Sequence, residues 1–294
     1  MDTVYPLGTL EQQPFSEADG KWFGPGVMDM KGGIVVLLSA LRLMRENGLW
    51  PTRPLTALFT SDEETGSHTS RPVIEELARQ AGLVLVLEPA FAEGKLKTAR
   101  KGVGGITLHA SGVAAHAGVD HASGRNAIEA LAHQVIAAQQ LTDYARGTTV
   151  NVGIISGGTR TNVVPAEAQA LLDLRVSVPE EYQRLEKWVN SLQPAVEGTQ
   201  IRASIELNRP PMPRDATMIA TFEKARTIAA QLGMQLSESS SGGGSDANFV
   251  SPLGVPVLDG LGPAGSNAHS IGEFAVASSF PVQSALLAAL MLNW

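Results

Sequence analysis

Leu83-Val84-Leu85-Val86-Leu87-Glu88-Pro89 is the stretch that decides the fold. It is too short and too uniformly apolar for anything but a buried strand, and it ends directly on a carboxylate. Before it, residues 70–80 read as a helix with Gly82 at its stop, and 55–60 (Leu55-Thr56-Ala57-Leu58-Phe59-Thr60) as a second strand. Further back, the apolar run from Ile34 to Leu43, closed by Asn47-Gly48, predicts a buried helix. Buried strands separated by helices imply an α/β fold with a mostly parallel sheet covered on both faces.

Toward the carboxyl terminus the pattern changes. Strands are expected at 105–111, 148–155, 167–176 and 201–207, and helices at 126–141 and 179–192. That β-α-β-β-α-β order is the split ferredoxin-like α+β arrangement. Asn208-Arg209-Pro210-Pro211-Met212-Pro213 then reads as a linker. Alternation returns with a helix at 216–232, a Gly-rich turn at 242–244, a strand at 255–258 and a helix at 280–292. The expected organisation is one α/β domain, 1–101 and 211–294, divided by an inserted domain at 102–210.

Composition narrows the function. The 294 residues are 44% hydrophobic and carry a formal charge of −7, with no long basic stretch to follow a phosphate backbone, so nucleic acid is not an expected partner. Residues 1–20 lack the pattern of a signal peptide, and no apolar run is long enough to span a bilayer, so a cytoplasmic protein with no membrane partner is expected. With no cysteine, a disulfide, a thiolate metal site and a cysteine nucleophile are all excluded, and any metal must sit on His, Asp and Glu.

The ionisable residues fall where an open α/β sheet places its ligands, at the carboxyl ends of the strands. Ser61-Asp62-Glu63-Glu64 follows the expected strand 55–60, and Glu88-Pro89 follows 83–87. Asp29 lies in the tight turn Gly24-Pro25-Gly26-Val27-Met28-Asp29-Met30-Lys31-Gly32-Gly33, and His269 lies in a loop after 255–258. Each alone has an ordinary reading as a solvated loop, a helix cap or a surface histidine. Their coincidence at equivalent positions is the signal. Oxygen donors plus imidazole suit zinc, manganese or cobalt, and adjacent Glu63 and Glu64 can divide metal binding from proton transfer. No HExxH motif and no phosphate-binding loop is present.

Those stretches, with Asp62-Glu63-Glu64-Thr65-Gly66-Ser67, His116-Ala117-Gly118, Gly242-Gly243-Gly244-Ser245-Asp246-Ala247 and His269-Ser270, occur here in order along the whole chain. The set resembles the zinc metallopeptidase family of glutamate carboxypeptidases, acetylornithine deacetylases and succinyl-diaminopimelate desuccinylases, and its carboxypeptidase G-like members most. The resemblance implies a three-layer zinc-peptidase catalytic domain interrupted by a lid and dimerisation domain. It implies two zinc ions, with Co2+ or Mn2+ as alternatives, sharing Asp29 and one water. Glu64 and His269 would complete one site and Glu88 would serve the other. Glu63 would be the general base, Asp2 would orient a metal-binding histidine, and the Asp29–Met30 bond would be cis.

The same resemblance assigns His116 to the oxyanion, reaching into a partner subunit, and places Asn162 near the substrate carbonyl. Arg175, Arg209, Lys95 and Gly243 are candidates for gripping a substrate carboxylate. The expected substrate is a small molecule or short peptide with a free carboxylate, and the expected assembly a homodimer through the lid.

One departure stands out. The family's first metal motif is His-x-Asp-Thr-Val, whereas this chain starts Met1-Asp2-Thr3-Val4, so the histidine would precede residue 1. The pattern is that of an N-terminally truncated member. The expected activity is release of C-terminal glutamate from N-acyl or peptidyl substrates. The alternatives are an N-acyl amino acid deacylase or dipeptidase with the same apparatus, and an inactive dimerising fragment.

Overall fold

The computed structural model describes residues 2–294. They divide into two compact units: residues up to Arg100 together with Met212–Trp294, and Lys101–Pro211.

The first unit is built on a four-stranded sheet in the order Glu238–Ser241, Leu96–Arg100, Val257–Asp259, Val84–Val86. Both outer pairs are parallel, and the central pair meets antiparallel at Asp259 and Lys97. Alternate residues point to opposite faces, as a pleated strand requires. Leu85, Leu96 and Leu258 pack with the helices Lys31–Glu46, Ala216–Gln231 and Ser279–Asn293. Val84, Val86 and Val257 pack instead with helix Arg71–Gln80 and the turn Ala247–Val250. The sheet is therefore the middle of three layers.

Gly33 shows how closely the first of those helices lies on the sheet. A Cβ on Gly33 would come 2.1 Å from the carbonyl oxygen of Leu87, so only glycine fits this crossing.

Two expectations need correction here, and one strand was not expected at all. Residues 55–60 join no sheet among the described residues, and Leu55, Leu58 and Phe59 are 40%, 44% and 47% exposed. Strand-forming residues form a strand only where a neighbour offers a ladder, and no described strand lies beside these. Strand Val84–Val86 is half-buried, because it stands at the sheet edge. The sheet also contains Leu96–Arg100, whose polar sequence hid it.

A second, antiparallel sheet of Ser16–Ala18, Lys21–Phe23, Phe274–Val276 and Gly265–Ser266 lies outside the expected scheme. Its hairpin turns on Asp19-Gly20, both at positive φ (50° and 71°), with Ala18 facing Lys21. That is the two-residue turn an Asp-Gly pair favours.

The second unit is an antiparallel sheet, Gln200–Arg209, Gly102–Ser111, Glu167–Val176, Thr149–Gly157, with helices Ala127–Gln139 and Pro179–Asn190. Numbered along the chain its strands lie 4-1-3-2, the ferredoxin-like order. Burial in Glu167–Val176 alternates strictly, and the buried set Ala168, Ala170, Leu172, Leu174, Val176 meets Ala127, Ala130, Leu131, Leu185 and Val189 of the helices.

Candidate metal centre

Three separate chain segments bring Asp29, Glu64 and His269 together. His269 Nε2 lies 3.3 Å from Asp29 Oδ2 and 3.5 Å from Glu64 Oε2. One ligand atom from each residue falls within 4.8 Å of the other two. Two carboxylate oxygens and an imidazole nitrogen at this spacing suit a divalent cation such as zinc.

Each segment has a local reason for its shape. Asp29 ends the turn 24–30, where Gly24 and Gly26 take positive φ (150° and 73°) and Lys31 N–H donates to Gly26 O at 3.0 Å. The Asp29–Met30 peptide bond is cis. Glu63 and Glu64 sit in a turn closed by Gly66 N–H to Glu63 O (3.0 Å) and Ser67 N–H to Asp62 O (2.7 Å). Asp62 turns away from the centre. Its Oδ2 accepts from Thr69 N–H at 2.9 Å and Ser70 N–H at 3.1 Å, and hydrogen bonds from Ser70 and Thr69 hold its carboxyl well below the usual range. His269 has φ 63°, the left-handed region uncommon for histidine. Its loop is tied by Ser270 Oγ–H to Asn267 O (2.9 Å) and Asn267 Nδ2–H to Gly272 O (3.3 Å).

Two more carboxylates stand close by. Burial, with the charges of Asp29 and Glu63, pushes the Glu88 carboxyl well up, against the pull of Arg100. Burial also raises Asp29 against the pull of His269, and raises Glu64 with Asp29 adding to it. Four carboxyl groups thus crowd one half-buried region, with each raising the cost of ionising its neighbours. A bound cation would relieve that cost.

Asp2 is also here, with Oδ2 accepting from Glu64 N–H at 3.0 Å. That bond ties Asp2 to the backbone of Glu64.

Beneath the centre lies a buried ion cluster that the sequence reading missed. Arg100 meets Asp259 with Nε and Nη2, donates from Nη1 to Gly243 O and Gly244 O at 3.0 Å each, and lies 3.9 Å from Glu88 Oε2. Ser245 Oγ–H donates to Asp259 at 2.6 Å. Burial and the Arg100 charge lower the buried Lys97 ammonium. Glu273, wholly buried, was missed as well. A lone Glu in a loop reads as solvated, and no pattern around it says otherwise.

The remaining candidates of the first unit are Gly243, exposed in its turn, and Lys95, half-buried just before strand Leu96–Arg100. The others belong to the second unit. His116 and Asn162 are neighbours there: Ala115–His116 pairs antiparallel with Val163–Val164, and Ala117 N–H donates to Asn162 O at 3.0 Å. His116 Nδ1 accepts from Gly118 N–H and Val119 N–H at 3.2 Å each, so the neutral ring carries its proton on Nε2. Arg175 already makes a two-pronged bond to Asp173, 2.9 Å on each arm, and Arg209 is buried at 4% exposure.

The family model described as peptidase family M20/M25/M40 matches residues 1–293. The chain belongs to that family. Carboxypeptidase G2 of Pseudomonas sp. (strain RS-16) is 31% identical over 298 residues, spanning all of this chain and 72% of the relative. Succinyl-diaminopimelate desuccinylase of Ectopseudomonas mendocina is 28% identical, covering 93% of this chain and 75% of its own. A tripeptidase from Staphylococcus aureus has a similar fold, with TM-score 0.76 at 22% identity over 99% of this chain and 78% of that one. As an M20 member the protein is a hydrolase of the metallopeptidase class. No helix among the described residues is long and apolar enough to cross a membrane.

Proposed function

We propose that this protein is a metal-dependent carboxypeptidase that hydrolyses an amide bond to release a C-terminal amino acid, glutamate by preference. The observation that carries the reading is the convergence of Asp29, Glu64 and His269 on one point beside Glu63 and Glu88. Glutamate as the leaving amino acid is suggested by the likeness to carboxypeptidase G2.

Asp29, Glu64 and His269 would hold one zinc ion, and Asp29 with Glu88 a second, Co2+ and Mn2+ being chemically acceptable substitutes. When bound, the metal supplies Lewis acidity to the scissile carbonyl and makes water more acidic. Glu63 takes the proton from the attacking water and passes it to the departing amine. The backbone at Gly243, held from behind by Arg100, offers a place for the substrate carboxylate. Nε2–H of His116 would donate to the developing oxyanion at a partner subunit's centre, with Asn162 near the substrate carbonyl. Pairing through the second unit follows the same reading. Its edge strand Thr149–Gly157 exposes Ile154 and Ile155.

A second reading, deacylation of an N-acyl amino acid, is favoured by the desuccinylase likeness. Parallel assays on an N-acyl glutamate, a succinylated diamino acid and a neutral dipeptide, with zinc supplied, test the choice. Fastest turnover of the acyl glutamate is expected. No turnover of any of the three overturns the reading.

A further inference from the structure

Glu273 is a buried carboxylate whose two oxygens face four hydrogen-bond donors, and among the described residues none of these four is a cationic side chain. Its Oε1 accepts from Met28 N–H at 2.8 Å and Asp29 N–H at 2.9 Å. Its Oε2 accepts from Gly26 N–H at 2.8 Å, and Tyr5 Oη lies at the same distance from that oxygen. Tyr5 Oη is also 2.8 Å from the carbonyl oxygen of Ser270, next to His269. Burial and the Glu273 charge push the Tyr5 phenol up, so it stays a donor. The Glu273 carbonyl accepts from Gly24 N–H at 3.2 Å at the other end of the turn.

From this geometry we infer that Glu273 is a positioning residue. It gathers three N–H groups of the turn 24–30 and the Tyr5 hydroxyl onto one carboxylate, and so aims Asp29 and steadies the His269 loop. Three features support the assignment. The exposure of Glu273 is 0%, so its charge must be satisfied within the protein or be very costly. Two of its bonds go to the backbone N–H groups of Asp29 itself and of Met28 just before it, fixing the backbone from which the Asp29 carboxylate projects. Hydrogen bonds to an ionised acceptor are also about twice as strong as neutral ones. The inference rests on the proposed function for the identity of the ion, while the clamp on the turn is present in the chain itself.

The isosteric change Glu273→Gln keeps the shape and leaves one accepting oxygen. Its NH2 group then faces an N–H donor of the turn wherever the amide is placed. The test uses the full 294-residue chain. Zinc affinity is measured by competition with a chromophoric chelator, the Co2+ absorption spectrum reports ligand geometry, and hydrogen exchange of the peptide 24–33 is followed in metal-free protein. Glu273→Gln is expected to weaken zinc by about 10- to 100-fold, to alter the Co2+ spectrum, and to speed exchange across 24–33. Tyr5→Phe removes one donor and keeps the three N–H bonds. Its zinc affinity is expected to fall by roughly 2- to 10-fold, the worth of one hydrogen bond, and it decides the matter if Glu273→Gln does not fold.

Wild-type zinc affinity and an unchanged Co2+ spectrum in the variants overturn the positioning role while leaving the proposed function standing. A wild-type chain that takes no zinc overturns the proposed function instead. Exchange across 24–33 then judges Glu273, with faster exchange in the variants supporting the clamp and unchanged exchange removing it.

Discussion

Arg100 and Asp259 face each other across neighbouring strands, Nε to Oδ2 at 2.5 Å and Nη2 to Oδ1 at 3.1 Å, with side-chain exposures of 3% and 0%. Burial works against the Asp259 charge, yet Arg100 and Lys97 outweigh it and hold the carboxyl below its usual value. A buried pair of this kind costs desolvation of both groups, so its presence is weak evidence of net stability. Breaking it from one side is another matter, because an uncompensated charge stays behind. Arg100→Met is therefore expected to lower stability by about 3–5 kcal/mol, measured by urea denaturation of metal-free protein. A loss below about 1 kcal/mol, the scale of an exposed pair, would mean that the pair opens to solvent.

The two adjacent glutamates should separate cleanly in the laboratory. Glu63→Gln is expected to cut kcat by about 100- to 10,000-fold, the range of general-base catalysis, while zinc content stays at the wild-type value. Glu64→Ala is expected to lose metal from the site shared with Asp29 and His269, seen as a lower zinc-to-protein ratio after dialysis. Reversed results, with Glu63 needed for metal and Glu64 for turnover alone, would exchange the two roles.

This pair also shows how much of the molecule could be read beforehand. Asp29, Glu63, Glu64, Glu88 and His269 stood out because acids and imidazole at the expected strand ends form a pattern, and the structure brings Asp29, Glu64 and His269 within 4.8 Å of one another. The ferredoxin-like unit was legible because its strands bury alternate residues, as in Glu167–Val176. Strand Leu96–Arg100 was not. Leu96-Lys97-Thr98-Ala99-Arg100 looks solvated, and Asp259, more than 150 residues away, helps make its charges tolerable inside a sheet, with Glu88 and the Gly243 and Gly244 carbonyls. Glu273 was hidden because three of its four partners are backbone N–H groups that no side-chain pattern reveals. The Asp19-Gly20 hairpin did carry a local signal, and reading it would have found half of the second sheet. In 55–60 the local signal pointed the other way, because a strand needs a neighbour.

Glu181 gives the second unit a pH-dependent contact. It is buried, and it accepts from Arg184 Nη2 at 2.7 Å, Thr148 Oγ1 at 2.7 Å and Arg146 Nη1 at 3.2 Å. Hydrogen bonds, led by those of Arg184, lower its carboxyl from 4.5 to about 2. A carboxyl depressed in the folded state stabilises fully above its unfolded value, and that contribution is lost as pH falls through the folded one. Glu181→Gln should therefore be less stable than wild type at pH 6, with the difference shrinking between about pH 5 and pH 2. Denaturant titrations at several pH values, followed by a probe in the second unit, measure it. A pH-independent difference would assign the effect to packing.

His116 offers the last test, and its tautomer is what gives the test its force. Two backbone N–H groups, from Gly118 and Val119, point at Nδ1 from 3.2 Å. The neutral ring must then carry its proton on Nε2, the state needed to donate toward a developing negative charge. A donor aimed where charge appears only in the transition state changes kcat and leaves ground-state binding nearly alone. His116→Ala is expected to lower kcat by about 100- to 1,000-fold, the cost of deleting one oxyanion donor, with KM changed by less than about 3-fold. Steady-state kinetics on the acyl glutamate, at matched zinc content, separates the two parameters. A variant whose KM rises while kcat holds would make His116 a substrate-binding residue instead, and one with wild-type kinetics would remove it from the chemistry.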